Sequence, residues 1–108
     1  MPVELVRVRD GDTLVVRRKG SDLEWPVRLL DCWAEEKHTA GGREAKAYLE
    51  ATIANEELSL FVPFDGIERT VMDLFTFDRV LGYVYTSQGD VSRMMVAAGQ
   101  ATKQKPAR

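Results

Sequence analysis

The residues best suited to chemistry lie between Arg28 and Glu36, where an apolar stretch ends in a cluster of charges. The apolar residues on either side of Arg28 predict a strand, in which a long cation must reach solvent or pair with an anion. Asp31, Glu35 and Glu36 follow at the exit of that strand. An arginine and carboxylates that meet at one strand end can bind a phosphate and a metal ion together. The alternative is an amphipathic strand that runs into a solvated acidic loop.

The elements that must position this cluster begin with a three-stranded antiparallel meander. Alternating apolar residues predict strands at residues 3–9, 13–18 and 23–31. The turn Asp10-Gly11-Asp12 joins the first two strands, and we expect Gly11 to supply the positive φ of a tight hairpin.

The second half of the chain predicts two helices and two further strands. A helix is expected at residues 43–55, with an apolar stripe that recurs at helical spacing, and strands are expected at residues 58–62 and 80–85. The state of residues 71–77 is open. Asp90 predicts the cap of a short helix that ends at Gly99. Five antiparallel strands with a helix after the third predict an α+β fold, a five-stranded barrel of the oligonucleotide/oligosaccharide-binding (OB) type.

Composition narrows the class of protein. The chain has 108 residues, which predicts one domain at residues 1–102 with a flexible tail at residues 103–108. A net charge of −2 argues against a protein that coats nucleic acid by bulk charge, although a local basic groove stays open. The single cysteine, Cys32, predicts a buried thiol, and the single histidine, His38, predicts a loop residue. No apolar run is long enough for a membrane span, so we expect no membrane partner. The compartment stays open, with the cytoplasm as the default, and we expect a monomer.

Several short motifs, in order along the chain, resemble those of the staphylococcal (thermonuclease-type) nuclease family. The motifs are Asp10-Gly11-Asp12-Thr13, Arg28-Leu29 followed by Glu36, Gly42-Arg43-Glu44-Ala45, Arg79-Val80-Leu81-Gly82-Tyr83-Val84-Tyr85, and the helix that ends in Gly99-Gln100-Ala101. The resemblance covers nearly the whole chain.

This resemblance implies a calcium-dependent endonuclease that hydrolyses phosphodiester bonds of single-stranded DNA or RNA. By the same resemblance, Asp12 is a ligand of Ca²⁺ and Glu36 is the general base that activates water. Arg28 and Arg79 clamp the phosphate. Two guanidinium groups and a cation meet the charge that develops on the phosphoryl oxygens.

The sequence departs from the family pattern at Trp33, where the family has its second metal carboxylate. We hypothesise that Asp31 replaces this ligand, because side chains two apart on a strand share a face. The tail also lacks the family's nucleotide-holding tyrosines, so Trp33 is a candidate to stack a base. Packing of Trp33 inside the barrel is the interpretation that we favour over stacking.

Two rival functions stay open from the sequence. The first is a catalytically silent module of the same fold that binds nucleic acid or a protein, and both Trp33 and the negative net charge favour it. The second is a small barrel without a separate activity inside a larger assembly.

Overall fold

A computed structural model describes residues 1–63, 75–76 and 79–105. Most of the stretch 71–77, whose state the sequence leaves open, and the last tail residues 106–108 lie outside the described residues. Asp65-Gly66, a pair for which the sequence predicts a loop, also lies outside them. The described part contains seven strands and two helices. They are β1 (Pro2–Asp10), β2 (Thr13–Arg18), β3 (Glu24–Leu29), α1 (Ala40–Ile53), β4 (Leu58–Phe61), β5 (Phe75–Thr76), β6 (Arg79–Thr86), β7 (Gly89–Asp90) and α2 (Val91–Ala97).

Five of these strands close into a barrel, in the order β3-β2-β1-β4-β6, and β6 returns to pair with β3. The predicted barrel is therefore confirmed. The expectation that all its strands are antiparallel is wrong, because β3 and β6 run parallel. A ring with an odd number of strands cannot alternate in direction throughout, so closure requires a parallel pair. That pair brings Arg28 opposite Leu81 and the end of β3 beside β6.

The core lies inside the barrel and beneath the two helices. Alternate residues of the strands point inward, and the helices add one apolar stripe each. The fully buried side chains include Leu14, Val16, Val27, Leu29, Leu49, Ile53, Val84, Val91 and Met95. Their burial removes the apolar face of every barrel strand from water, and this is the main favourable term for the fold.

Helix α1 begins at Ala40, three residues before the predicted start, and ends at Ile53. Thr39 caps it, since its Oγ1 accepts a hydrogen bond from the Gly42 amide at 2.9 Å. A Cβ on Gly42 would lie 1.7 Å from the Glu36 carbonyl oxygen, so the chain before the helix crosses directly over this glycine. The predicted apolar stripe of α1 is confirmed at its buried residues Ala45, Leu49 and Ile53. Tyr48, which the helical spacing also places on this stripe, points to solvent and is 40% exposed.

The hairpin turn between β1 and β2 packs directly on helix α1 through Gly11. A Cβ at this position would lie 2.5 Å from the Ala45 Cβ and 2.7 Å from the Ala34 Cβ. Gly11 is not among the glycines with positive φ, so the predicted reason for this glycine is wrong. Its role is close approach, which fixes the turn that carries Asp12 against the helix.

Gly11→Ala is expected to lower the free energy of unfolding by about 1–3 kcal/mol, because the added methyl overpacks a contact between backbone-anchored atoms. Chemical denaturation measures the change. Ala45→Gly, combined with Gly11→Ala, should recover part of the loss, although Ala45→Gly alone costs about 1 kcal/mol in a helix. Strictly additive losses in this double-mutant cycle would contradict the packing contact.

The chain after α2 returns to the end of β3. Trp33 and Thr102 form an antiparallel bridge, in which the Trp33 amide donates to the Thr102 carbonyl at 2.7 Å and the Thr102 amide donates back at 3.0 Å. The predicted tail begins directly after this bridge. Within the described ranges, no helix has the length and apolar character needed to cross a membrane.

Candidate active site

A cavity of about 950 Å³ lies where the β1–β2 turn, the end of β3, the start of α1 and the start of β6 meet. Asp12, Arg28, Glu36 and Arg79 all line it, together with Trp33. The structure therefore brings five of the six sequence-predicted site residues together from three separate parts of the chain. The sixth, Asp31, lies elsewhere.

Asp12 is held by the backbone and side chains around the hairpin turn. Its Oδ1 accepts a hydrogen bond from the Thr13 hydroxyl at 3.1 Å, and its Oδ2 accepts one from the Ala34 amide at 3.0 Å. Asp10 Oδ1 in turn accepts the Asp12 amide at 3.1 Å, as in an Asx turn. The Asp-Gly-Asp-Thr turn therefore folds so that each carboxylate oxygen of Asp12 accepts a hydrogen bond, and these bonds fix the orientation of the side chain.

Arg28 is buried on the wall of the cavity, with 9% of its surface exposed. Its Nη1 donates to the carbonyl oxygens of Leu29 and Cys32, and its Nη2 lies 3.6 Å from Asp12 Oδ2. Arg28 is therefore paired with the carboxylate of Asp12, and its guanidinium links the end of β3 to the β1–β2 turn. Both Nη1 donors are used within the protein, and Nη2 faces Asp12, which limits how much of this group can turn to a ligand.

Trp33 lies on the cavity side of Arg28, outside the barrel. The Arg28 guanidinium carbon is 4.3 Å from the centre of the indole, a cation–π distance, and Lys105 Nζ is 5.8 Å from the same ring. The side chain is 37% exposed, so the expectation that it packs inside the barrel is wrong. Its exposed part borders the cavity, where a planar group can stack on it.

Asp12 has an unusual acidity for a carboxyl. Burial, followed by the hydrogen bond with Asp10, raises the pKa of Asp12 to about 6, although Arg28 and the Ala34 amide pull it down. Asp12 therefore keeps its proton to a higher pH than an ordinary aspartate does. Because the native state holds this proton more tightly than the unfolded state, Asp12 stabilises the fold at low pH and this contribution is lost as the pH rises.

We expect the difference in free energy of unfolding between the wild type and Asp12→Asn to change with pH. The ordinary pKa of an aspartate is 3.8, and that of Asp12 is about 6. As the pH rises from 3.8 to about 6, the wild type should therefore lose stability relative to the variant. The loss should be about 1–2 kcal/mol, after a discount for solvent at the cavity. Urea denaturation in metal-free buffer across this range measures it. A pH-independent difference would contradict the raised pKa.

Asp31 does not lie on a strand, contrary to the premise of its predicted role. Strand β3 ends at Leu29, and Asp31 has a φ of 57°, in the left-handed region. Its side chain accepts a hydrogen bond from the Tyr83 hydroxyl at 2.7 Å, and this bond raises the pKa of Tyr83 to about 12. Asp31 lines a second cavity, so it does not stand in for the carboxylate that Trp33 replaces.

Glu36 is well exposed, since 67% of its side chain is accessible to solvent. Its Oε2 lies 3.4 Å from His38 Nε2, which gives the predicted loop histidine a carboxylate neighbour. The start of α1, directly beneath the Glu36 carbonyl, fixes the backbone here. The carboxylate is therefore free to reach into the cavity from its rim.

Four more charged residues line the cavity: Asp10, Glu35, Glu44 and Lys105. Sequence reasoning assigned no role to Asp10, Glu44 and Lys105. The position of Asp10 beside Asp12 could be predicted, because a tight hairpin brings residues two apart close together. Glu44 could not be assigned from the sequence, because only the packing of α1 in the fold directs this residue at the cavity.

Asp12 is the one predicted calcium ligand that lines the cavity. Calcium takes six to eight oxygen ligands, whereas both oxygens of Asp12 already accept hydrogen bonds and Arg28 lies beside one of them. Among the described residues, no group of three or more Asp, Glu, His or Cys side chains is placed to hold a metal ion. The cavity is nevertheless rich in negative charge, with five carboxylates against three cations.

Cys32 is buried beneath the site and takes no part in it. Burial, more than the nearby Asp12, raises the pKa of its thiol to about 12. A thiol that stays protonated at neutral pH is a poor nucleophile. The predicted buried thiol is confirmed.

No model of a known protein family matches this chain, and no curated protein matches it. The case for a function therefore rests on the side chains themselves.

Proposed function

We propose that this domain is a nuclease that hydrolyses phosphodiester bonds of DNA or RNA, on a barrel of the staphylococcal nuclease type. The observation that carries the proposal is the convergence of two arginines and a carboxylate, Arg28, Arg79 and Glu36, on one cavity. They come from β3, β6 and the loop before α1. A phosphodiester needs this combination, which is positive charge for the phosphoryl oxygens and a base for water.

The two arginines have different parts in the reaction. Arg79 lines the cavity at the start of β6, and the planar fork of its guanidinium can grip two phosphoryl oxygens. Arg28 is tied to two carbonyls and to Asp12, so it holds the site together and presents its remaining donors. Arg79 is accordingly the main phosphate clamp, and Arg28 supports it.

Glu36 acts as the general base. It takes a proton from water as the water oxygen bonds to phosphorus, and the opposite P–O ester bond breaks in line. The departing oxygen takes a proton from solvent. The exposed position of Glu36 at the cavity rim suits this role, because the attacking water must come from the side opposite the leaving group.

Calcium dependence stays a prediction of the family resemblance. It is supported by the excess of carboxylates over cations among the side chains that line the cavity. A cavity with a negative net charge repels a phosphate unless a cation is added. The described side chains do not supply a complete shell, so no step is assigned to the ion.

A second candidate function is a catalytically silent module that binds nucleic acid. The stacking of Trp33 on Arg28 favours it, because the indole lies where a second carboxylate would be needed and covers one face of a phosphate-binding group. In such a module the exposed edge of Trp33 and the guanidinium of Arg79 hold a base and a phosphate without cleavage.

The test is cleavage of labelled single-stranded DNA and RNA by the purified protein, in calcium and in chelator. The proposal expects cleavage that requires calcium. The double variant Arg79→Ala with Glu36→Gln, purified in parallel, controls for contaminating nucleases and should be inactive. Binding without cleavage in any divalent ion supports the silent module instead, and neither binding nor cleavage contradicts both.

A further inference from the structure

The one histidine of the chain, His38, lies beside the carboxylate that is assigned as the general base. Its Nε2 is 3.4 Å from Glu36 Oε2, which is the distance of an ion pair once the imidazole is protonated. Both side chains are well exposed, at 75% for His38 and 67% for Glu36, so the charge of the imidazole can follow the pH of the solution. The proposed reaction, in which Glu36 works alone, gives His38 no part.

The loop that carries this pair is fixed to the first turn of α1. The amide and the hydroxyl of Thr39 both donate to the Glu36 carbonyl, at 3.0 Å and 2.8 Å. Arg43 Nη1 donates to the His38 carbonyl at 2.9 Å, and Gly42 packs directly against the Glu36 carbonyl. Because the backbone on both sides of the pair is tied to the helix, the two side chains stay within reach of each other.

Other charged groups surround the pair, from its own loop, from α1 and from the remaining walls of the cavity. They are Glu35 and Lys37 on the loop, Arg43 and Glu44 on α1, and Asp10, Asp12, Arg28, Arg79 and Lys105 on the remaining walls. Imidazole is the side chain whose charge ordinarily changes between about pH 5 and 8. Asp12, whose pKa burial raises to about 6, changes charge in the same range. A comparison that isolates His38 must therefore be made between proteins that all keep Asp12.

A protonated His38 weakens Glu36 as a base. A carboxylate that is paired with a cation binds a proton less tightly than a free one, so it takes a proton from water less readily. The ion pair must also break before the carboxylate reaches the attacking water. A neutral imidazole has no charge with which to hold the carboxylate, and Glu36 is then free to act.

We infer that His38 is a positioning residue that sets the pH range of the reaction, because it pairs with Glu36 when protonated and releases it when neutral. His38 transfers no proton, since the proton of the attacking water passes to Glu36 and from there to solvent. The inference rests on the proposed hydrolysis and adds regulation by pH to it. Cleavage is slow in mildly acidic solution and faster above neutral pH.

The test compares kcat for cleavage of labelled single-stranded DNA in calcium at about pH 5.5 and about pH 8, on either side of the change in imidazole charge. His38→Gln, which is never charged, should exceed the wild type about 2–5-fold at the lower pH and match it at the higher pH. An exposed ion pair contributes up to about 1 kcal/mol, which corresponds to about 5-fold. His38→Lys, which is charged at both values, should match the wild type at the lower pH and fall about 2–5-fold below it at the higher pH.

Lys37→Gln is the matched control, because Lys37 is also an exposed cation of this loop but does not change its charge in this range. Its ratio of kcat at the two pH values should equal that of the wild type. Circular dichroism at both pH values verifies that each variant is folded.

Nuclear magnetic resonance tests the pair without substrate. A single histidine gives a single set of imidazole signals. At about pH 5.5, where an imidazole is largely protonated, these signals should shift in Glu36→Gln, which removes the carboxylate beside the ring. They should stay in place in Glu35→Gln, which removes the neighbouring carboxylate instead.

Equal ratios of kcat in the wild type, His38→Gln and His38→Lys overturn the inference and leave the proposed hydrolysis standing. Imidazole signals that Glu36→Gln leaves in place overturn the inference in the same way. If those signals shift in Glu36→Gln but none of the proteins cleaves DNA at either pH, the proposed hydrolysis is refuted, and the role of His38 in it is refuted as well.

Discussion

Arg28→Met is expected to lower the free energy of unfolding by about 3–5 kcal/mol, because it removes one partner of a buried ion pair and leaves the other charge uncompensated. Arg28 is 9% exposed, and it joins the Leu29 and Cys32 carbonyls to Asp12. Methionine keeps the length of the side chain but none of these bonds, and it ends the cation–π contact with Trp33. Cleavage should be lost as well, since the site loses its framework.

Chemical denaturation at neutral pH measures this loss. Arg17→Met is the matched control, because Arg17 is also a strand arginine, its ion pair with Glu24 spans 3.9 Å and its side chain is 36% exposed. An exposed pair of this kind contributes about 0–1 kcal/mol. Arg28→Lys should fall between the two, because an ammonium keeps the charge but cannot lie flat on the indole while it bonds two carbonyls. Equal losses in Arg28→Met and Arg17→Met would contradict the structural role of Arg28.

Arg79→Ala is expected to reduce kcat for cleavage of single-stranded DNA by about 10²–10³-fold, the usual effect of removing one group that stabilises developing charge. Stability should hardly change, because Arg79 has no ion-pair partner among the described residues and is only partly buried. This separation of activity from stability distinguishes Arg79 from Arg28, where both are lost together.

Steady-state cleavage assays and denaturation of the same preparations test the separation. Arg18→Ala, on the exposed end of β2, removes an arginine remote from the cavity and should leave kcat unchanged. Arg79→Lys should keep part of the activity, because lysine retains the charge but lacks the planar fork. Unchanged kcat in Arg79→Ala would remove Arg79 from the reaction.

The barrel was predictable because each strand has an apolar face and the turns contain residues that are typical of turns, such as Gly and Asp. The meander of β1 to β3 and the position of α1 follow from periodicities of two and 3.6 residues. The parallel contact of β3 with β6 followed from the odd number of strands, but alternation along the chain carries no sign of it. The early start of α1 was missed because Gly41 and Gly42 resemble a loop, whereas Gly41 packs against the Glu35 side chain and Gly42 against the Glu36 carbonyl.

The site residues that lie in the recognised motifs were predicted correctly as neighbours in one cavity. The position of Asp31, where the chain turns, was predicted wrongly. Asp12, Arg28, Glu36 and Arg79 do line one cavity, as the order of the motifs predicted. Asp31 was misplaced because the run Leu29-Leu30 continues the apolar pattern, while the left-handed backbone at Asp31 ends the strand. Aspartate tolerates that conformation better than most residues, and no neighbouring glycine signals it.

The central claim is that Glu36 is the base of a phosphodiester hydrolysis, and its neighbour Glu35 provides the most direct test. Both carboxylates line the same cavity, so they contribute equally to its overall charge. The measurement is kcat/KM for calcium-supported cleavage of single-stranded DNA by the wild type, Glu36→Gln and Glu35→Gln. We predict that Glu36→Gln lowers kcat/KM by about 10²–10⁴-fold, as expected for a general base, while Glu35→Gln stays close to the wild type. Equal activity in all three proteins, or a loss confined to Glu35→Gln, would contradict the assignment.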